Sequence, residues 1–531
     1  MAQWNKNTQD FLNQERTLFE VPMIATKDGS PVSFENPFPV SLGSSNITIN
    51  GDVSIGATVD VSSTPENPVH THITEVGISS ILTVPYLPVG ISTLLNTVSI
   101  GTTGQVSINL NNSPVSTSNP FPVTGSVDIE LPPIATDAFG RQRMSTPLTL
   151  FDSSHRYRDN NLWSGLVVGT GSTVGFSTAQ GLINMTVGVG STASVIRETT
   201  KVFSYQPGKS LQVLNTFVMN PAKANLRQRV GYFGADNGMY LELDGSTLYF
   251  AERSLSTGIT TQISQNNWNI DTMLGAGHLN PSGVTLDISK AQILWMDIEW
   301  LGLGTVRLGF VVDGKFIHCH SFHHANLITS TYITTASLPL RYEIANTGIT
   351  TSASTLKQVC STVISEGGYE LRGLQQAAGT PVQTPVDLTT AGTYYTVLSI
   401  RLKATPNRLD AIVIMTALSI LGITNNAVYN WQVRATGTSV GGTWVDAGID
   451  SAVEYKIDGG TYTGGRILAS GYLYGSNQGS TPVDILKEAL FKFQLERDAL
   501  TGTPYELSLV ASSNSNGADI HGSMDWEEIS R

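Results

Sequence analysis

Several short stretches carry residue types that could do chemistry. In Trp295-Met-Asp297-Ile-Glu299-Trp300 two carboxylates stand two residues apart. On a strand they share a face, close enough for paired acid chemistry on a glycosidic bond. His70-Thr-His72 places two imidazoles on one strand face. One chain offers two ligands, and three chains about an axis would offer 3 × 2 = 6, an octahedral set suited to iron or another transition metal. The alternative is a structural or solvated pair. His318-Cys-His320, followed by Phe322, His323 and His324, forms a second histidine cluster. It could hold a metal or ligand. Crowding with Arg307 favours instead a polar surface between domains or subunits. Gly437-Thr-Ser439-Val-Gly441 has the letters of a nucleophile elbow. The elbow needs a helix after the serine, and Gly442-Thr-Trp444 does not start one, so a glycine-rich hairpin loop is the reading. Trp163, Trp268, Trp300 and Trp444 are candidate platforms for stacking a glycan ring.

The elements that would hold these residues are β-strands. Charged residues are 14% of the 531, against about a quarter in an ordinary domain. Gly, Ser, Thr, Asn and Val make up the difference, a composition of strands and turns. The net charge is −12 and no Lys/Arg run stands out, which argues against nucleic-acid binding. Cys319 and Cys360 make no disulfide framework. The start, Met1-Ala-Gln-Trp-Asn-Lys, lacks the apolar run of a signal peptide. The longest apolar run, Ala411–Ile423, is too short for a membrane span and reads as a core strand.

The chain reads as four regions. Residues 1–20 carry Trp4, Phe11 and Leu18 at seven-residue spacing, an apolar stripe on a short docking helix. Residues 21–133 read as an extended, fibrous β-stalk. From Val76 to Val127 it has no Asp, Glu, Lys or Arg, and alternating phrases such as Ile47–Ile55, Asn96–Ile100, Gln105–Leu110 and Ser126–Ile129 predict short strands. Such strands would leave open edges in a monomer, which three intertwined chains would cover. The rival for this region is a disordered linker. Asn36-Pro-Phe-Pro-Val40 returns as Asn119-Pro-Phe-Pro-Val123. Each copy is expected to cross between neighbouring chains of a trimer with Phe38 or Phe121 buried there.

Residues 134–375 predict a first all-β sandwich, jelly-roll or lectin-like. Its turn signals are Asp236-Asn-Gly238, Asp244-Gly245 and Asp313-Gly314. With Asp313-Gly314 as a two-residue turn, Val306, Leu308, Phe310, Val312, Ile317 and Cys319 share the core face. Arg307, Val311, Phe316, His318 and His320 share the other. Residues 376–531 predict a second sandwich, with strands at Tyr394–Leu402, Ala411–Met415, Tyr429–Arg434 and Tyr505–Ala511 and one helix at Val483–Phe491.

The Trp295–Glu299 stretch resembles the Glu-x-Asp-x-Glu strand of laminarinase-like sandwich enzymes. Trp295 stands where the nucleophilic glutamate would be, so the catalytic pair is incomplete. His70-Thr-His72 is similar to the metal sites along trimeric phage fibres and spike tips. Ala135-Thr-Asp-Ala-Phe-Gly-Arg-Gln-Arg-Met-Ser-Thr-Pro-Leu-Thr-Leu-Phe-Asp-Ser-Ser-His-Arg-Tyr157 resembles segments of virion structural proteins of large contractile-tailed phages, notably those of marine cyanobacteria. Cys360–Tyr369 and the opening Gln3–Val21 look like that group too, and the likeness covers about residues 1–375. The resemblance implies a non-enzymatic virion component, assembled in the host cytoplasm. The expected form is a homotrimeric fibre or appendage on tail, baseplate or neck, partnered by other virion proteins and not inserted in a membrane. The alternatives are a host-glycan-binding receptor protein, a capsid decoration protein, and a depolymerase using Asp297 and Glu299.

Overall fold

The computed structural model describes residues 58–60, 97–100, 106–110, 113–114, 136–138, 140, 146–457, 459–475, 481–484 and 492–530. The docking helix, both Pro-Phe-Pro copies, Ile47–Ile55, Ser126–Ile129, and with them Trp4, Phe11, Leu18, Phe38, His70, His72 and Phe121, lie outside the described residues. The described chain is all-β. Helical turns among the described residues are short 3-10 stretches such as Gln265–Asn267.

The chain divides into two compact units, Met1–Ile129 and Glu130–Arg531. In the first, Thr58–Asp60 pairs in parallel with Thr97–Ile100, which pairs antiparallel with Val106–Leu110 and that in turn with Ser113–Pro114. Two of these strands sit within a residue of the alternating phrases that predict them.

The second unit holds two sandwiches. The first packs an eight-stranded sheet on a seven-stranded one. Their inner faces meet in a core that includes Phe217, Tyr232, Phe250, Trp268, Phe310 and Tyr342. The hairpin Val306–Val312 to Lys315–Phe322 shows how local chemistry sets the register. Asp313 and Gly314 take φ of 49° and 74°, the left-handed pair that a tight primed turn demands. Val312 therefore faces Lys315. Val306, Leu308, Phe310, Ile317 and Cys319 all enter the core. A bulge between Leu308 and Gly309 then shifts the pairing by one residue. Beyond it the alternation of faces breaks, with consequences for His320.

The second sandwich packs a five-stranded sheet on a six-stranded one, around Leu398, Tyr429, Leu509, Met524 and Trp526. The strand Leu374–Gly379 already pairs with Ala518–Ser530, so this sandwich takes up the chain just before the Pro-rich stretch 378–385. The apolar run 411–423 forms the strand Ile412–Gly422. Val413 and Met415 join the second core, while Ile412 and Ile414 pack on Val202 of the first sandwich. Burial on both faces explains why this strand shows no polar alternation. The helix predicted at Val483–Phe491 is corrected at its start. Thr481–Asp484 is an edge strand paired with Ala417–Ile420, where Pro482 gives up no ladder bond that a central strand would need.

Candidate functional site

The acidic pair at Asp297 and Glu299 is not the open pair that two carboxylates on an exposed strand face would form. Asp297 is fully buried. It lies in register with Arg307 on the neighbouring strand and is ion-paired to its Nη2. Arg307 also donates to the carbonyl of Thr136 at 3.0 Å. Glu299 sits past the strand end, where its carboxylate accepts from the Thr305 amide at 3.4 Å. Burial pushes its carboxyl above the ordinary range. Trp295 is buried, edge-on to Phe316 and His318. The guanidinium of Arg307 thus closes the site that the resemblance to sandwich hydrolases brought forward.

The second histidine cluster is taken apart by the bulge. His318 stays on the outer face beside Trp295, its Nε2 2.9 Å from the Ser321 hydroxyl. His320 turns toward the core, near-parallel to Phe250 and edge-on to Phe322, and accepts from the Asn269 amide at 3.2 Å. Burial, with Arg307 adding to it at His318 and His323 at His320, lowers both imidazoles to about 4. They are neutral at pH 7, and His320 leaves the outer face on which the alternation had placed it. His324 is buried as well, with Nε2 2.8 Å from Glu252 and its ring stacked 3.9 Å from that of Tyr332. Among the described residues no group of three or more His, Cys, Asp or Glu side chains is placed to hold a metal ion.

Two of the four candidate sugar platforms are ruled out by packing. Trp163 is a core residue whose Nε1 donates to the Ser153 hydroxyl. Trp268 is fully buried, stacked on Phe250 at 4.3 Å and near Phe310 at 6.2 Å. Neither has a free face. Trp300 is half-buried, with Nε1 donating to the Ile333 carbonyl and its ring edge-on to Tyr205.

Trp444 is different. It is half-buried and lies at the start of the short strand Val445–Asp446, on the edge of the six-stranded sheet. The Arg401 guanidinium lies 4.0 Å and the Lys456 ammonium 4.7 Å from its ring. Both cations rise from the outer face of adjacent strands, where Ser399 faces Lys456 and Arg401 faces Glu454. The ring rests on them from the solvent side, a cation–π seat that fixes its orientation.

The same face continues inward as a polar layer. Ser399, Ser508 and Arg434 follow one another in register across three strands. Ser399 and Ser508 share a hydrogen bond of 2.6 Å. Ser439, from the Gly-x-Ser-x-Gly stretch, closes its strand and donates to Glu506 at 2.6 Å. Gly441 and Gly442 follow in left-handed conformations, so this is a hairpin loop. Asn430, Gln432 and Arg434 alternate along the strand Val428–Ser439, opposite the core residues Tyr429, Trp431 and Val433. Sequence reasoning found that strand but not its outer stripe. The signal was available in three hydrogen-bonding side chains at every second position.

No family model and no curated protein matches this chain. Among solved structures it is similar to a Bacillus licheniformis beta-glucanase, with TM-score 0.27 and 9% identity over 40% of this chain and 96% of that one. It is similar to the carbohydrate recognition domain of Emp47p, with TM-score 0.26 and 9% identity over 41% and 96%. Peanut lectin is matched with TM-score 0.26 and 8% identity over 42% and 98%. At these identities the likeness is one of sandwich fold and extends no further.

Proposed function

We propose that this chain is a non-enzymatic structural protein of a tailed-phage virion. In this reading it is a trimeric fibre or appendage whose second sandwich touches glycan on the host surface. The observation that carries the glycan contact is Trp444. It is a half-exposed indole held in one orientation by Arg401 and Lys456 at the rim of the six-stranded sheet, beside the exposed Thr443 and Asp446. A flat apolar ring beside directional polar groups is what a pyranose, with one apolar face and a hydroxyl edge, requires. The non-enzymatic part is supported by Asp297, whose charge is matched by Arg307 in a buried pair. The virion setting rests on the likeness of residues 135–157 to phage structural proteins.

Incubating the purified chain with bacterial envelope polysaccharide tests the reading. Retention on the polysaccharide without release of reducing ends is the expected result. Release of reducing ends that is lost in D297N would overturn it.

A further inference from the structure

On the outer face of the six-stranded sheet, away from Trp444, one cation stands without an acidic partner. Arg434 has no carboxylate in ion-pair range among the described residues, whereas Arg401 pairs with Glu454 and Lys456 with Glu506 on the same face. The Arg434 guanidinium lies 4.4 Å from the centre of the Tyr394 ring and is held in position by its own Nε, which donates to Gln432 Oε1 at 2.7 Å. Gln432 in turn donates to the Tyr394 hydroxyl at 2.8 Å, and that hydroxyl donates to Asn430 Oδ1 at 2.5 Å. Four side chains from two separated segments therefore form one hydrogen-bonded stripe ending in a half-exposed cation. Directly opposite Asn430 on the edge strand stands Tyr472, 78% exposed. Ser470, opposite Gln432, is exposed too.

We infer that the end of this stripe is a binding site for an acidic saccharide, with a sugar carboxylate on Arg434 and a sugar ring against Tyr472. Three physical points support the choice of ligand. A guanidinium presents planar donors that match a carboxylate, and Tyr394, Gln432 and the Gly464 carbonyl, which takes Nη1 at 3.3 Å, pre-organise it with Nη2 as the donor toward the ligand. Asn430 and Gln432 spend their hydrogen bonds on Tyr394, Arg434, Ser470 and the Gly471 carbonyl, so they hold the cation and the edge strand in place for the sugar. An exposed tyrosine beside them offers an apolar surface with little conformational freedom to lose. The chain as a whole carries −12, so an unmatched arginine on this face is a local exception and not part of a general basic surface.

This inference rests on the glycan-binding reading above but uses different residues, so the two can fail separately. The test is calorimetric titration of the full chain with an oligogalacturonate and with its methyl ester of the same length. The acid is expected to bind at least about tenfold more tightly than the ester, with affinity falling as salt rises. R434Q should remove that preference, and R434K should restore part of it. Y472A, at an exposed position, should weaken both ligands while leaving the melting temperature unchanged. W444A should leave the preference for the acid in place. Equal binding of acid and ester, or R434Q binding the acid like the wild type, would overturn the assignment. Binding of neither ligand would overturn it as well, and retention of a neutral polysaccharide through Trp444 would then show that the broader reading survives.

Discussion

Arg497 of the second sandwich donates to Glu198 of the first at 2.9 Å, with 1% and 3% of each residue exposed. Around this pair the backbone N–H of Arg497 donates to the Thr200 carbonyl at 2.9 Å. Gln494 donates to the Val202 carbonyl at 2.7 Å, and the Thr200 hydroxyl to Glu496 at 3.1 Å. Buried charges are tolerated only when paired with defined geometry, so the junction admits one arrangement of the two sandwiches and penalises others. R497M leaves the buried Glu198 with Arg341 alone. It is expected to destabilise the chain by about 3 kcal/mol. In urea the wild type is expected to unfold in one transition and R497M in two, and one coincident transition in R497M would contradict this.

The apolar half of the junction makes a second comparison. Ile414 is fully buried against the first sandwich, whereas Ile449 is fully exposed. Ile414→Ala is expected to lower stability by about 2–5 kcal/mol, and Ile449→Ala by no more than about 0.5 kcal/mol. Equal effects in chemical denaturation would mean that the junction does not contribute to folding stability.

Acid should destabilise the first sandwich through three buried imidazoles. Burial lowers His155, His318 and His320 to about 4, from an ordinary value of 6.5. Between those values the unfolded chain binds protons that the folded chain refuses, so stability falls as pH drops through this window. The denaturation midpoint at pH 5 should lie below that at pH 7. H320F, which keeps a ring against Phe250, should reduce the difference. A midpoint insensitive to pH across this window would refute the assignment.

His324 works with the opposite sign. Burial alone would lower it, but the hydrogen bond and charge of Glu252, joined by the Gly304 carbonyl and the charge of Glu299, outweigh burial and raise it above 6.5. The stabilisation from this pair is fully present below 6.5 and is lost as pH rises through the raised value. E252Q should therefore cost more stability at pH 6 than at pH 9. An equal loss at both would show that the contact acts as a neutral hydrogen bond.

Much of this architecture was legible locally. Asp313-Gly314 has the turn chemistry of a primed hairpin, and the core face of that hairpin followed from period-two alternation as far as Leu308. Legibility ended at the bulge between Leu308 and Gly309. An extra residue in one strand has no compositional mark, so His320 was expected on the wrong face. Long-range pairing was equally hidden. Nothing in the spacing of Asp297 and Arg307 announces that they will stand in register, and nothing near Trp163 or Trp268 announces the sheet that covers them. Trp444 stayed half-exposed because it precedes an edge strand, a position set by the order of strands and not by its neighbours in the chain. The outer stripe Asn430, Gln432 and Arg434 was visible as alternation, but its place opposite the core depended on knowing the whole sheet.

The measurement that bears most directly on the proposed function is binding of the full chain to an array of bacterial surface glycans, wild type against W444A. Retention of a defined set of glycans by the wild type, weakened at least about tenfold in W444A with an unchanged melting temperature, is the expected result. Binding of neutral glycans that W444A leaves intact, or no glycan bound at all, would contradict the assignment of Trp444 as the host contact.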